Sequence, residues 1–331
     1  MEQKKKVSVV MCTYNGEKYL REQLDSIVNQ TYPIHELIVQ DDGSKDGTLA
    51  VLQAFKQKYP YIYIYIYQNV TSLGINRNFI SAIRKATGDY IAISDQDDIW
   101  DLHKIEWQMA SIGDKLLSSG FSKPFISGEN IQVHFDGRIP NCATERLMYV
   151  GALPGHTQLF KKEFLTKIPD LDKWLELFMY DHLFQIAASV YHGISFCDKI
   201  LVHQRRYASA ATYTVPVNCK KSVFNAFATL KRTWNQYRVL KPDMMTYFGQ
   251  VHAFLSSFPS EGTYKAKAQE LALHLSQGSF VSYIKLTWLC VQLRDRIFYV
   301  KEKNPILSVI RALLFPVTCS DYFRYLMKNH K

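Results

Sequence analysis

At 331 residues, 47% hydrophobic and 21% charged, the chain can bury a substantial core, and global disorder is excluded. Forty Lys and Arg against 30 Asp and Glu leave a formal charge of +10, which favours an anionic partner: nucleic acid, a phospholipid surface or a phosphorylated substrate. Six cysteines stand singly with no CxxC pair, which argues against a disulfide framework or a thiolate zinc site and for reduced structural thiols.

The charged Met1–Lys6 is followed by an apolar run, Val7–Met11, too brief for a signal-peptide core. From there to about Ile112, short β-branched runs alternate with helix-period segments, the pattern of βαβ units around a mostly parallel sheet. Strands are expected at Val7–Cys12, Glu36–Gln40, Tyr61–Gln68 and Tyr90–Ser94. Helices are expected at about Lys18–Asn29, Gly47–Lys58 and Ile75–Ala86, the last closed by Gly88. The run Tyr61–Tyr67 alternates Tyr and Ile, so a strand there would have one aromatic and one aliphatic face. After Gly120 the alternation weakens, with strand-like pieces at Phe125–Phe135 and Ile194–His203 around a helix-like piece at Met179–Tyr191. Beyond about Pro216 a helical region rich in aromatic and basic residues is expected, interrupted by Pro242, Pro259, Pro305 and Pro316. No apolar stretch reaches about 18 residues, so a spanning helix is not expected and the chain reads as cytoplasmic.

Ligands of open α/β sheets bind beyond the carboxyl ends of strands, and three expected strands end in polar clusters. These are Thr13-Tyr14-Asn15, Asp41-Asp42-Gly43-Ser44 and Asp95-Gln96-Asp97-Asp98. The first offers an aromatic face and hydrogen bonds to a planar base, and the second offers carboxylates for base N–H or ribose hydroxyls, although Asp-Asp-Gly-Ser also suits a capped turn. In the third, three carboxylates within four residues repel one another and call for a compensating cation. Oxygen ligands suit Mg²⁺ or Mn²⁺.

Taken together, Val7–Gly16 (VSVVMCTYNG), Leu37–Thr48 (LIVQDDGSKDGT), Asn76–Asn78 and Gly88–Trp100 (GDYIAISDQDDIW) resemble the nucleotide-sugar-binding half of family-two inverting glycosyltransferases. The SDQDDIW form is similar to bacterial O-antigen and capsule transferases, rhamnosyltransferases among them. The resemblance implies an α/β GT-A fold, a Rossmann-like, mostly parallel mixed sheet flanked by helices, to which the change of pattern beyond about Pro216 adds a helical C-terminal region. With the pattern changes at about Ile112 and Pro216, the expected domains are 1–215, divided into 1–112 for the nucleotide sugar and 113–215 for the acceptor, and the helical region 216–331 for membrane docking or oligomerisation.

The resemblance also implies roles. Thr13, Tyr14 and Asn15 lie where the family contacts the donor base, and Asp42 where an acid binds it. Arg77 lies near the donor phosphates, Asp95 on the ribose side, and Asp97 at the metal. Asp98 and Trp100 are expected only to shape the loop. Asp181, in the apolar setting FMYDHL, is expected as the catalytic base, with Asp170, Asp172 and Asp198 as fallbacks. In GALPGHTQLF, His156 is expected at the acceptor. Arg205 and Arg206 are expected to supply cations to the diphosphate, and His203 an additional metal ligand.

The expected partners are a nucleoside diphosphate sugar and a glycan or lipid-linked acceptor, without nucleic acid, for which no motif or compact basic-aromatic groove is present. A nucleotidyltransferase of similar fold, which would need a Gly-rich triphosphate loop, and a non-catalytic glycan-binding or scaffold module are the alternatives. Basic and aromatic residues interleave over Lys285–Lys331, as in helices lying on a membrane at the inner face of the plasma membrane. Packing in the core or a homo-oligomer contact is the competing reading.

Overall fold

The computed structural model describes residues 4–126, 133–207, 223–261 and 263–323. Contacts divide the chain into two compact units. The first comprises Met1–Gly137, Leu153–Phe184 and Gly193–Pro216, and the second Arg138–Ala152, Gln185–His192 and Val217–Lys331.

The first unit is built on eight strands: β1 (Val7–Thr13), β2 (Glu36–Asp41), β3 (Ile64–Gln68), β4 (Tyr90–Ser94), β5 (Ile99–Trp100), β6 (Leu117–Ile126), β7 (Leu159–Lys161) and β8 (Ile194–Arg206). They form one sheet in the order β3-β2-β1-β4-β7-β6-β8-β5. The β3-β2-β1-β4 half is parallel, whereas β7 runs antiparallel to β4 and β6. Helices α1 (Leu20–Val28), α2 (Thr48–Lys58), α3 (Gly74–Lys85) and α4 (Lys104–Ile112) flank it. The VSVVM of β1 and LIV of β2 are completely or almost completely buried, as continuous apolar strands between helical layers should be. Leu20, Leu24 and Ile27 of α1 and Leu52 and Phe55 of α2 pack into the same core.

One charged residue enters this region with its partners already in place. Glu36, at the start of β2, accepts hydrogen bonds from Ser8 Oγ at 2.6 Å and from the Thr87 N–H and Oγ1 at 2.7 and 2.8 Å. Burial opposes its charge, but these donors outweigh it and hold the carboxyl below its ordinary range.

Three expectations are corrected. The Tyr/Ile strand begins at Ile64 rather than Tyr61, because pairing with β2 starts at Leu37 opposite Ile64 and leaves Tyr61 and Tyr63 exposed. The strand expected at Phe125–Phe135 is instead Leu117–Ile126, with 127–132 outside the described residues. Ser118, Ser119 and Gly120 have weak strand propensity, and pairing with β7 and β8 overrides it. Gly120 is required there, because a Cβ would lie 2.6 Å from the Cys197 carbonyl oxygen. Gly88 does not close α3, which ends at Lys85. It sits against β1, where a Cβ would lie 2.9 Å from both Ser8 N and Lys6 O.

The second unit is helical, with its longest elements at Val223–Ser257, Ala266–Ser276, Phe280–Gln292 and Pro305–Thr318. Pro242 and Pro316, expected as interruptions, lie inside helices. A proline removes one intrahelical bond, and here packing of residues such as Met244, Phe248, Val251 and Phe315 in the core offsets the loss. Pro305 occupies the first turn, behind Asn304, whose Oδ1 accepts from the N–H groups of Ile306 and Leu307. Tyr149 fills the centre of this unit, edge-on to Phe248 and Phe315.

Gly88→Val forces a side chain into backbone that cannot retreat. We expect a loss of roughly 1–3 kcal/mol, read as a lowered Tm in thermal unfolding. An unchanged Tm would contradict the assigned contact with β1.

Candidate active site

The loops after β1, β2 and β4 are tied to one another by side-chain-to-backbone bonds. Asp41, fully buried, accepts from Thr13 Oγ1 and Ser44 Oγ through Oδ1, and from the Gly43 and Ser44 N–H groups through Oδ2. The Asn15 backbone is left-handed at φ 49°; its N–H donates to Ser44 Oγ and its Oδ1 accepts from Lys45 N–H, both at 2.9 Å. Gln96 grips the Tyr14 backbone twice: Oε1 accepts the N–H at 2.9 Å and Nε2 donates to the carbonyl at 3.1 Å. The Tyr14 ring is thereby presented to solvent, 55% exposed, on a fixed backbone.

Asp42 accepts four hydrogen bonds, from Asn69 Nδ2, Ser72 Oγ and the N–H groups of Leu73 and Gly74, at 2.6–3.0 Å. Burial opposes its ionisation, yet these donors hold its pKa below the ordinary carboxylate range. Arg77 is exposed and pairs with Glu176 at 2.8 Å.

The Asp95–Asp98 turn follows β4. His156 Nδ1 lies 3.0 Å from Asp95 Oδ2 and 3.3 Å from Asp98 Oδ2, while its Nε2 lies 2.8 Å from Ser122 Oγ. His156 and Asp98 are buried, and Asp95 is half-buried. Burial pushes Asp98 up to about 7; His156 opposes the shift, and Asp95 and Asp97 add to it. Burial depresses His156, but Asp98 and Asp95 more than reverse that and raise its pKa. One oxygen of Asp95, one of Asp98 and a ring nitrogen of His156 fall within 4.8 Å of one another. Among the described residues, no other His/Cys/Asp/Glu group of three or more is so arranged.

Asp97 faces another way, accepting from the Tyr207 hydroxyl at 2.5 Å. Arg205 is locked beside it: its backbone N–H donates to Asp98 Oδ1, its Nε to the Asp97 carbonyl, and its guanidinium pairs with Glu22. The guanidinium also lies over the Tyr19 ring at 4.3 Å. Arg206 and His203 lie on the same strand, His203 opposite Ile99 of β5.

Asp181 opens the helix Tyr180–Val190. Asn76 of α3 fixes the approach to that helix by donating to the Leu175 and Phe178 carbonyls and accepting from Tyr180 N–H. Tyr180 stacks on Phe79 at 4.4 Å. The Asp181 carboxyl accepts the His182 N–H at 2.8 Å. Gly155 packs against it so closely that a Cβ there would be 2.7 Å from the Tyr180 hydroxyl and 3.4 Å from Asp181 Oδ2. Gly155 therefore brings the His156 segment and Asp181 together. Burial raises the Asp181 pKa to about 6, with the His182 hydrogen bond opposing and Asp95 adding to the shift.

Asp98 is the residue that sequence reasoning placed outside the chemistry; D-x-D-D spacing does not reveal which carboxylate turns inward. The contacts of Ser122, Tyr207 and Glu22 were not legible at all, since each comes from a different element. Of the fallback acids, Asp172 pairs with Arg84 at 2.8 Å and Asp198 is exposed.

Residues 8–164 match the family model for glycosyl transferase family 2. The chain contains a glycosyl transferase family 2 domain. The chain is 39% identical over 105 residues to the putative glycosyltransferase EpsE of Bacillus subtilis, covering 32% of this chain and 37% of that protein. It is 41% identical over 99 residues to the dTDP-rhamnosyl transferase RfbG of Shigella flexneri, covering 29% and 34%. The chain thus spans about a third of the length of each of these two relatives. The crystal structure of S. aureus TarS 1-349 in complex with UDP-GlcNAc superposes with a TM-score of 0.56 at 15% identity, covering 98% of this chain and 91% of that one. That likeness shows the fold, which is GT-A.

Behind the acidic turn of the family 2 domain, Lys104 is fully buried, its Nζ donating to Gln108 at 3.0 Å and lying 3.9 Å from the Trp100 ring centroid. Burial lowers its pKa to about 7 from 10.5. The unfolded chain therefore binds this proton below about 10.5 and the folded chain only below about 7, so the residue's cost to stability grows as pH falls across that window. The Tm of Lys104→Met minus that of the parent should be more positive at pH 7 than at pH 10. The opposite trend in matched scans would contradict a buried, displaced amine.

Proposed function

We propose that the protein is a metal-dependent inverting glycosyltransferase that moves a sugar from a nucleoside diphosphate sugar to a cell-surface glycan or lipid-linked acceptor. The observation that carries this reading is the meeting of two chemistries around Gly155-His156. A half-buried carboxyl with a raised pKa, Asp181, lies on one side, and the Asp95–Asp98–His156 cluster on the other. The family 2 domain and the relative named a dTDP-rhamnosyl transferase support sugar transfer.

In this reading Thr13, Tyr14 and Asn15 receive the nucleoside, with the Tyr14 ring as stacking surface. Asp42 accepts from the base in exchange for one of the bonds it now takes from the Ser72 hydroxyl and the Leu73 and Gly74 N–H groups. Asp95 faces the ribose, and Arg77 and Arg206 supply cations to the phosphates. Arg205, held by Glu22 and Tyr19, contributes positive potential.

The donor set suits a hard divalent ion: oxygens of Asp95 and Asp98 meet a ring nitrogen of His156, Asp97 adjoins them in the same turn, and Asp97 and Asp98 are displaced toward protonation, a strain that added positive charge relieves. Mg²⁺ or Mn²⁺, held by Asp97 with Asp95, Asp98 and the imidazoles of His156 and His203 as the available partners, would offset charge on the leaving diphosphate. His156 orients the acceptor side. Asp181 removes the acceptor hydroxyl's proton as that oxygen attacks the anomeric carbon and the diphosphate departs from the opposite face, which inverts the centre.

A panel of UDP-, GDP- and dTDP-sugars with Mn²⁺ or Mg²⁺ tests the reading through release of nucleoside diphosphate, and no release with any donor would contradict it. Asp181→Asn should preserve donor binding and lower turnover by roughly 10²–10⁴. Because the base must be ionised, kcat should fall about tenfold per unit as pH drops below about 6. Asp97→Asn keeps an oxygen for Tyr207 but removes a charge, so calorimetry should show metal-dependent donor affinity lost, as it should be with EDTA. Unchanged affinity would move the metal away from Asp97.

A further inference from the structure

Two helices of the second unit are apolar on both faces. In Phe280–Gln292, Leu286, Leu289 and Cys290 are buried, yet Phe280, Val281, Ile284 and Trp288 are 53–77% exposed on the opposite side. In Pro305–Thr318, Ala312, Phe315 and Val317 are buried, while Ile306, Leu307, Ile310, Leu313 and Leu314 are 39–72% exposed. The outward residues recur at i, i+4 and i+8 in the first helix and at i, i+4, i+7 and i+8 in the second, so each forms a stripe rather than a scatter. The two helices pack against each other. Soluble proteins rarely leave such stripes uncovered without a partner.

Charge indicates the partner. From residue 285 to 331 there are nine Lys or Arg against three acids. Asp295 and Glu302 are already paired, with Lys301 at 3.4 Å and Arg311 at 2.9 Å. Lys285, next to Ile284 in the first stripe, and Lys303, just ahead of the second helix, are exposed. A contact between copies of a protein is depleted in lysine at its core, whereas an interfacial helix combines lysine with Trp, Phe and Leu. Neither helix can span a bilayer: at 13 and 14 residues each is roughly 20 Å long, against a core of about 30 Å. Among the described residues, no helix is long and apolar enough to cross.

We propose that the exposed faces of helices Phe280–Gln292 and Pro305–Thr318 dock the chain on an anionic phospholipid surface, with Trp288 and the leucine and isoleucine side chains entering the headgroup boundary and Lys285 and Lys303 meeting lipid charge. This goes beyond the proposed reaction, and its test reads binding alone, so failure of one leaves the other standing.

The experiment is cosedimentation of the full chain with vesicles of phosphatidylcholine alone or with phosphatidylglycerol, at low and high salt, beside size-exclusion chromatography. Binding to the anionic vesicles at low salt is expected, weakened at least tenfold by high salt or by omission of phosphatidylglycerol. Ile310→Glu and, separately, the Lys285→Glu/Lys303→Glu pair should each weaken it roughly tenfold or more without lowering Tm, since all three positions are exposed. The proposal is overturned if the chain stays in the supernatant at low salt, or if both variants bind as the parent does. It is equally overturned if the parent is a dimer that Ile310→Glu dissociates and that has no vesicle affinity, which would assign the stripe to a second copy.

Discussion

The ion pairs between His156 and two carboxylates of the Asp95–Asp98 turn are the constraint on which the rest of the site depends. Burying Asp98 beside Asp95 and Asp97 is unfavourable, and the His156 ring nitrogen 3.3 Å from one carboxyl and 3.0 Å from another makes it tolerable. To bring that imidazole in, the chain must place a glycine at 155, because a side chain there would collide with Tyr180 and press on Asp181. Charge compensation at the turn and placement of the raised-pKa carboxyl are therefore one packing problem with one solution.

The sheet makes this arrangement possible. Parallel pairing of β2, β1 and β4 brings the loops after β1, β2 and β4 to the same edge, and the antiparallel pairing of β7 with β4 delivers residues 155–158 alongside them. The loops are then stitched through side chains, Asp41 to Thr13 and Gln96 to Tyr14, so that each polar group on one loop satisfies backbone on another. A site of this kind is preorganised. Its donors and acceptors are held by the fold before any substrate arrives, which lowers the cost of ordering on binding.

Much of the parallel half was legible because its signals are local: β-branched runs buried on both faces, helices with one apolar stripe, and polar clusters at strand ends. The three clusters identified the loops, and their order carried the family resemblance. What could not be read was the set of contacts between distant segments. Asp97 and Asp98 are adjacent and identical in type, and only the positions of Tyr207 and His156 decide that the first turns to a phenol and the second to an imidazole. Gly88 looked like a helix terminator because glycine fills that role often, whereas its actual constraint, contact with β1, lies 80 residues away in sequence. The prolines of the second unit misled in the same way, since packing kept the helices continuous through Pro242 and Pro316.

The central claim is that Asp181 directs a nucleophile at the face of the anomeric carbon opposite the leaving diphosphate. Its most direct test is the configuration of the sugar set free when water serves as acceptor, followed by proton NMR in the first minutes after the protein meets an active nucleoside diphosphate sugar and metal. The account predicts that the anomer seen first has the configuration opposite to that of the donor. First appearance of the donor's own configuration would contradict a single in-line displacement and the role given to Asp181.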